Sequence, residues 1–243
     1  MSTGPGRMLR VLTWNVHGCV GRSGGFDPAA IVARFEALDP DIAALQEVDA
    51  RPALAGAMDT FAYLAEATGR HALAARTLRS PGGDYGHLLL SRWPLSECRE
   101  LDLSVPEREP RAAVAATVNA PELEFRVLAA HLGLRGRERA TQVDRIRGAL
   151  ATWGDAPGIV LGDFNEWPRR SLADRRLCPP LRAAATLPSF PSRRPLFPLD
   201  RIWCRAPLAP MSARTVAEAR HESDHLPVLA ELSVPDRAFA DSP

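Results

Sequence analysis

Along this chain, short apolar runs ending in polar residues alternate with stretches of helical spacing. Arg10 to Val16 has the β-branched and aromatic content of a strand. Asp27-Pro28 then supplies an N-cap with proline at the first helical position. Ile31, Val32, Phe35 and Leu38 follow on one helical face. Asp39-Pro40 predicts the stop, and Ile42 to Val48 a second strand. Leu54, Met58, Phe61 and Leu64 predict a second helix ending near Gly69. Beyond it strands dominate: Tyr85 to Ser91, Arg111 to Val118, Glu124 to Ala130, Ile159 to Leu161, Asp200 to Cys204 and Leu226 to Leu232. Glu138 to Leu150 is the clear helix of this half, with Ala140, Val143, Ile146 and Leu150 on its inner face. The Pro- and Arg-rich stretches 166–198 and 205–222 read as loops. Many strands with a few interspersed helices predict an α/β layered sandwich. No composition break divides it: the expectation is a flexible N-terminus over 1–8, one domain over 9–234 and a tail over 235–243.

Composition narrows the function classes. With 243 residues, 46% of them hydrophobic, the chain is long enough to build a core from apolar burial alone. No stretch approaches the roughly 18 consecutive apolar residues of a membrane span, and the N-terminus lacks an apolar signal region. The expected location is therefore cytoplasmic. Cys19, Cys98, Cys178 and Cys204 are far apart and read as free thiols. The net charge of +1 supplies no global field toward nucleic acid or an anionic membrane. All 30 basic residues are Arg, which excludes Schiff-base chemistry and a P-loop lysine. Clusters such as Arg135/Arg137/Arg139, Arg169/Arg170 and Arg193/Arg194 read more readily as solvated surface than as phosphate grips.

Six segments share one design, an apolar strand ending in ligand-type side chains: Thr13-Trp14-Asn15, Leu45-Gln46-Glu47, Ala130-His131-Leu132, Leu161-Gly162-Asp163-Phe164-Asn165, Leu199-Asp200-Arg201 and Ser223-Asp224-His225. Each residue alone has an ordinary structural reading: Glu47 as a solvated strand end, His131 as a satisfied core histidine, Asn15 and Asp163-Phe164-Asn165 as turn formers. Likewise Asp200 is a plausible partner of Arg201, and Asp224-His225 a plausible cap of the last strand. Strand tips are nevertheless where open α/β sheets place their sites.

In this order and spacing, TWNVHG, PDIAALQEV, YGHLLLSRWPL, HLGLRGRERATQ, VLGDFNEWP, PLDRI and SDHLPV resemble the endonuclease/exonuclease/phosphatase (DNase I-like) superfamily, in its small stand-alone bacterial form. The match runs from Thr13 to Val228. The resemblance implies a four-layer sandwich, two mixed β-sheets packed face to face with helices outside. It also implies a Mg²⁺-dependent phosphoesterase, with Mn²⁺ able to substitute, acting by in-line attack of water. On that resemblance Glu47 is a metal ligand, Asn15 lies beside the metal and the phosphate, and Asp224 reaches a metal position. Asp163 readies the water, Asn165 positions water and phosphate, His225 faces the phosphate, and Asp200 orients His225. His131 faces the phosphate or leaving group, and Arg111 is the expected phosphate clamp. His87, expected to contact substrate, stands where many members carry Asn.

Substrate stays open among a lipid headgroup, a small ester and nucleic acid, as does oligomeric state. Low aromatic content (6%) and near-zero charge argue against tight binding of long DNA. A DNA or RNA nuclease and a non-catalytic phosphate-binding module are the alternatives. The His221/His225 pair offers a weaker zinc reading, because the Asn, Asp and Glu set favours hard oxygen coordination.

Overall fold

A computed structural model describes residues 8–80, 83–168 and 170–234. The segments before Met8 and after Val234, and Arg169, lie outside the described residues, so the expected flexible N-terminus and tail are not addressed by it.

Twelve strands form two six-stranded sheets. The first contains β1 (Met8–Asn15), β2 (Ile42–Asp49), β3 (His71–Ser80), β4 (Gly83–Ser91), β11 (Ala209–Thr215) and β12 (Val228–Ser233), in the order β11-β12-β1-β2-β4-β3. The second contains β5 (Leu95–Asp102), β6 (Ala112–Asn119), β7 (Glu124–His131), β8 (Gly158–Asp163), β9 (Arg182–Thr186) and β10 (Asp200–Arg205), in the order β5-β6-β7-β8-β10-β9. Each sheet is antiparallel except for one central parallel pair, β1–β2 in the first and β7–β8 in the second.

Period-2 alternation builds the layers. Leu9, Val11, Ile42 and Ala44 from the first sheet meet Val127, Ala129, Ile159 and Leu161 from the second in the central core. The opposite faces carry Leu12, Trp14 and Leu45, which pack under α1 (Pro28–Leu38) and α3 (Thr60–Thr68). In the second sheet Leu128, Val160 and Trp203 pack under α4 (Gly136–Ala151) and α5 (Leu172–Leu177). The result is the expected four-layer α/β sandwich. Among the described residues no helix is long and apolar enough to cross a membrane.

Helix α1 forms as the sequence predicts, with the Asp27 side chain accepting from the Ala30 amide and Asp39 closing it in a left-handed conformation. The helix expected through Leu54 and Leu64 breaks into α2 (Pro52–Ala55) and α3. Gly56 turns the chain at φ +61°, and Asp59 caps the new start by accepting from Phe61 and Ala62. In α4 the buried face begins with Glu138 and Gln142 rather than Ala140, which is half-buried. Gln142 accepts from the Gly133 amide and donates to the Leu103 carbonyl, tying the helix to the loop after β7. The supposed loops 166–198 and 205–222 hold α5, β9 and β11. The four cysteines are free, Cys19 and Cys204 buried, Cys178 half-buried and Cys98 exposed.

Candidate active site

The site lies where the carboxyl ends of the two parallel pairs meet. In the second sheet, register puts His131, Asp163 and Asp200 side by side in one row. Their neighbours two residues back, Ala129 and Leu161, face the central core, so by alternation His131 and Asp163 point between the sheets as well. Gly162 lets this row close up. It sits at φ +145°, and a Cβ there would stand 1.9 Å from the Ala130 carbonyl oxygen.

In the first sheet Asn15 follows Leu9 and Val11 onto the inner face. Glu47 would face outward by alternation, as Leu45 does. A β-bulge between Leu45 and Val48 inserts one residue, and Glu47 takes a left-handed φ of +57°. The carboxylate is thereby turned to the inter-sheet side. The final strand is fixed by Ser223, whose hydroxyl donates to the Asn15 carbonyl and accepts from the His225 amide. Trp14 Nε1 also donates to the His225 carbonyl, at 3.1 Å.

Asn15 is the hinge of the constellation. Its Nδ2 donates to Glu47 Oε1 at 2.8 Å and to Asp163 Oδ2 at 3.1 Å, while its Oδ1 accepts from the His17 amide at 3.0 Å. Its donor end thus faces the two carboxylates, and its oxygen serves His17. Asp163 is 1% exposed; its Oδ1 accepts from the Asn165 amide. Its Oδ2 faces His131 Nε2 at 3.7 Å and His225 Nε2 at 4.0 Å. Burial, then the nearby Asp200 charge, pushes the Asp163 carboxyl above its ordinary range. Asn165, at φ +51°, donates from Nδ2 to the Leu132 carbonyl and so locks the loop behind it.

Asp200 does not pair with Arg201, which turns outward to Asp174 at 2.8 Å. Instead Asp200 Oδ2 meets His225 Nδ1 at 2.8 Å and accepts from the Ser189 hydroxyl at 2.5 Å. Burial opposes charge on His225, but Asp200, then Asp163 and Asp224, outweigh it and raise the imidazole to about 10. His225 is thus an imidazolium at neutral pH. His131 is its counterpart. Arginine can only donate, so the 3.3 Å contact of Arg111 Nη1 with His131 Nδ1 assigns the proton to Nε2. Burial, then Arg111, holds His131 well below its ordinary value, and a neutral ring presents Nε2–H to the site.

Arg111 and His87 both stand behind His131. Arg111 is 6% exposed; its Nη1 meets His131 Nδ1 at 3.3 Å and Glu109 Oε1 at 3.1 Å, and it braces His131. His87 is 1% exposed between the sheets, against the Ala129 backbone, and does not reach the cavity. Burial, then Arg111, lowers it to about 4.

His17, within TWNVHG, stands beside these residues although its spacing in the sequence assigns it no role. It begins a short left-handed turn, with His17, Gly18 and Cys19 at φ +48°, +65° and +57°. Its Nδ1 lies 3.7 Å from Glu47 Oε2 and 3.7 Å from Asp224 Oδ1. Glu47, with Asp224 behind it, raises the imidazole above its ordinary value against the effect of burial. Glu47 itself is held at about 2: burial opposes its charge, but His17 and His131 prevail. His221 is exposed in the turn before the last strand.

Among the described residues one group of three side chains has ligand atoms close enough together to hold a metal. Ligand atoms of Asp163, Asp200 and His225 lie within 4.8 Å of one another, but the His225–Asp200 hydrogen bond and the Ser189 hydroxyl already engage their facing atoms. Glu47 instead presents its carboxylate to a cavity of about 360 Å³, which is lined also by His17, Asp49, Arg51, Tyr85 and Glu109, while Asp224 Oδ1 lies 3.7 Å from His17 Nδ1.

The sequence pattern of the Endonuclease/Exonuclease/phosphatase family matches residues 12–225. The Escherichia coli (strain K12) "Uncharacterized protein YbhP" is 29% identical, over 92% of this chain and 96% of its own. Among solved structures, an endonuclease/exonuclease/phosphatase from Beutenbergia cavernae superposes with a TM-score of 0.79 at 22% identity, over 94% of this chain and 72% of that one. A mannosyl-6-phosphatase from Bacteroides thetaiotaomicron superposes with a TM-score of 0.76 at 17% identity, over 93% of this chain and 100% of that one. With the family pattern spanning both sheets and every strand tip of the site, this chain belongs to the endonuclease/exonuclease/phosphatase family, whose members are hydrolases acting on phosphate esters.

Proposed function

We propose that this protein is a Mg²⁺-dependent phosphoesterase that cleaves a compact phosphate ester by in-line attack of water. One observation carries the reading: Asn15 bridges Glu47 and Asp163, and the Asp200–His225 pair closes on the same Asp163 oxygen. A scaffold relieved of catalysis has no need to bury that many opposed charges at one point.

The donor chemistry fits a hard divalent ion. Glu47 offers a carboxylate beside open cavity space and Asp224 a second one on the other side of His17, and they would hold it. When bound, such an ion neutralises charge on the phosphoryl oxygens. The residues of the chain do the rest. Asp163 Oδ2, raised toward the basicity a proton acceptor needs, aligns and deprotonates the attacking water. Protonated His225, aimed by Asp200, stabilises charge on the phosphate, and the His131 Nε2–H donates from the other side. Asn165 fixes the loop that carries Asp163.

The cavity favours a small, uncharged leaving group. Glu47, Asp49 and Glu109 line it, and its Arg51 is already paired with Asp49 at 2.5 Å. A polyanion continuing past the reacting phosphate would run over carboxylates. The test is a hydrolysis panel of plasmid DNA, abasic DNA, RNA, phospholipids, inositol phosphates and hexose phosphates, each with Mg²⁺, Mn²⁺, Zn²⁺ or EDTA. Turnover of a small ester with Mg²⁺ or Mn²⁺ and none in EDTA is the expected result. Cleavage of nucleic acid alone would replace the substrate class, and activity sustained only by Zn²⁺ would replace the metal.

A further inference from the structure

We propose that the loop spanning 190–197 docks this protein onto an anionic phospholipid surface, Leu196 and Trp167 entering the headgroup layer while Arg193 and Arg194 meet lipid phosphates. Trp167 is 65% exposed and Leu196 57%, among the most exposed large apolar side chains of the described residues. They are not scattered. The Trp167 ring lies 5.0 Å from that of Phe197, the residue after Leu196. Phe197 exchanges backbone hydrogen bonds with Phe190, whose ring in turn packs 4.8 Å from that of His225. One apolar strip therefore runs from solvent to the histidine of the candidate site.

The loop is built to hold its tip out. The Ser192 amide donates to the Asp224 carbonyl at 2.6 Å and its hydroxyl to the Ser223 carbonyl at 2.8 Å, while the Arg194 amide closes a turn onto the Pro191 carbonyl. Pro191, Pro195 and Pro198 restrict the chain around this anchor. Arg193 and Arg194 project beyond it, exposed and outside any ion pair among the described residues. Charge and shape choose the occupant. Exposed apolar side chains beside exposed arginines suit a surface that offers hydrocarbon beneath anionic phosphates, and Trp favours that boundary. A second copy would set the patch against itself and gather four arginines in one contact. Single-stranded nucleic acid needs open aromatic faces, yet Trp167 and Phe197 lie against each other and Leu196 cannot stack. On the phosphoesterase reading, docking here sets lipid headgroups beside His225.

The test is sedimentation of the full chain, in EDTA, with vesicles of equal parts phosphatidylglycerol and phosphatidylcholine, against vesicles of phosphatidylcholine alone. Binding should favour the anionic vesicles and weaken as salt is raised. Brominated lipid should quench Trp167, which is exposed while Trp14, Trp93 and Trp203 are buried. Leu196→Asp should weaken binding about tenfold or more, and Arg193→Gln and Arg194→Gln about fivefold each. All three positions are exposed, so Mg²⁺-dependent hydrolysis of soluble bis(p-nitrophenyl) phosphate should stay at the wild-type rate. No sedimentation of the wild type, or sedimentation unmoved by the three variants, overturns the proposal. Wild-type binding to a labelled single-stranded oligonucleotide, or self-association seen by light scattering, that the variants lose while vesicles stay unbound overturns it in favour of nucleic acid or a second copy. Neither metal nor turnover enters the binding assay. Vesicle binding without any hydrolysis therefore sinks only the proposed reaction, and hydrolysis of the soluble ester without vesicle binding sinks only the docking.

Discussion

Acid should destabilise this protein in a window set by His87. The ring is 1% exposed between the sheets, and its Nε2 meets no hydrogen-bond partner among the described residues. Burial, then Arg111, lowers it from 6.5 to about 4. Between those values the unfolded chain binds a proton that the folded chain refuses, so stability rises with pH there. The contribution is fully present above the unfolded value and disappears as pH falls toward 4. A drop of this size corresponds to about 3 kcal/mol, of which about 2 kcal/mol is lost between pH 7 and 4.5. The assay is urea unfolding followed by tryptophan fluorescence in EDTA, at pH 7 and 4.5, for wild type and His87→Asn. Any cavity the substitution leaves shifts both pH values alike, so the informative quantity is the difference between them. It should be smaller in the variant by about 2 kcal/mol. Equal pH dependence in the two proteins, within the roughly 0.5 kcal/mol to which independent effects add, would refute the reasoning.

Three further outcomes follow from the site. Asp163→Asn and His225→Ala should each lower kcat by roughly 10²–10⁴-fold, Asp200→Asn by less, and the Asp163/His225 double variant by far less than the product; steady-state kinetics on folded variants checks this. Glu47→Gln should weaken metal binding more than substrate binding, and an unchanged metal titration would count against its place at the ion. Gly162→Ala should cost more than about 4 kcal/mol in urea unfolding, because its Cβ would meet the Ala130 carbonyl at 1.9 Å in a backbone conformation closed to side chains.

What the sequence made legible divides along a physical line. The eight strands it predicts are β1, β2, β4, β6, β7, β8, β10 and β12, and every one of them is an interior strand. The four it lacks, β3, β5, β9 and β11, are the two edges of each sheet. An interior strand is covered on both sides and shows its apolar content directly. β5 and β11 expose most of their side chains, so their residues answer to solvent and carry little periodic signal. Helix α5 did have a signature: Ser171 and Asp174 form a capping box, with Glu166 accepting from the Leu172 and Ala173 amides.

The site divides in the same way. Asn15, His131, Asp163 and Asp200 sit at strand ends whose alternation can be read from the sequence, and the structure brings them together with Glu47 and His225. Arg111 and His87 share the right segments, but only the stacking of one sheet on the other reveals that they stand behind His131. Glu47 is the instructive case. Strict alternation from Ile42, Ala44 and Gln46 would send it to the helix side with Leu45. Only the extra residue of the bulge, with Glu47 itself in the left-handed region, turns it inward. A strained, non-glycine conformation persists where surrounding contacts over-determine it, and here Asn15 supplies one directly at 2.8 Å. That same amide anchors the left-handed turn at His17. The backbone departs from regular β-structure at the two places where it must present groups to the cavity, and neither departure is written in hydrophobic periodicity.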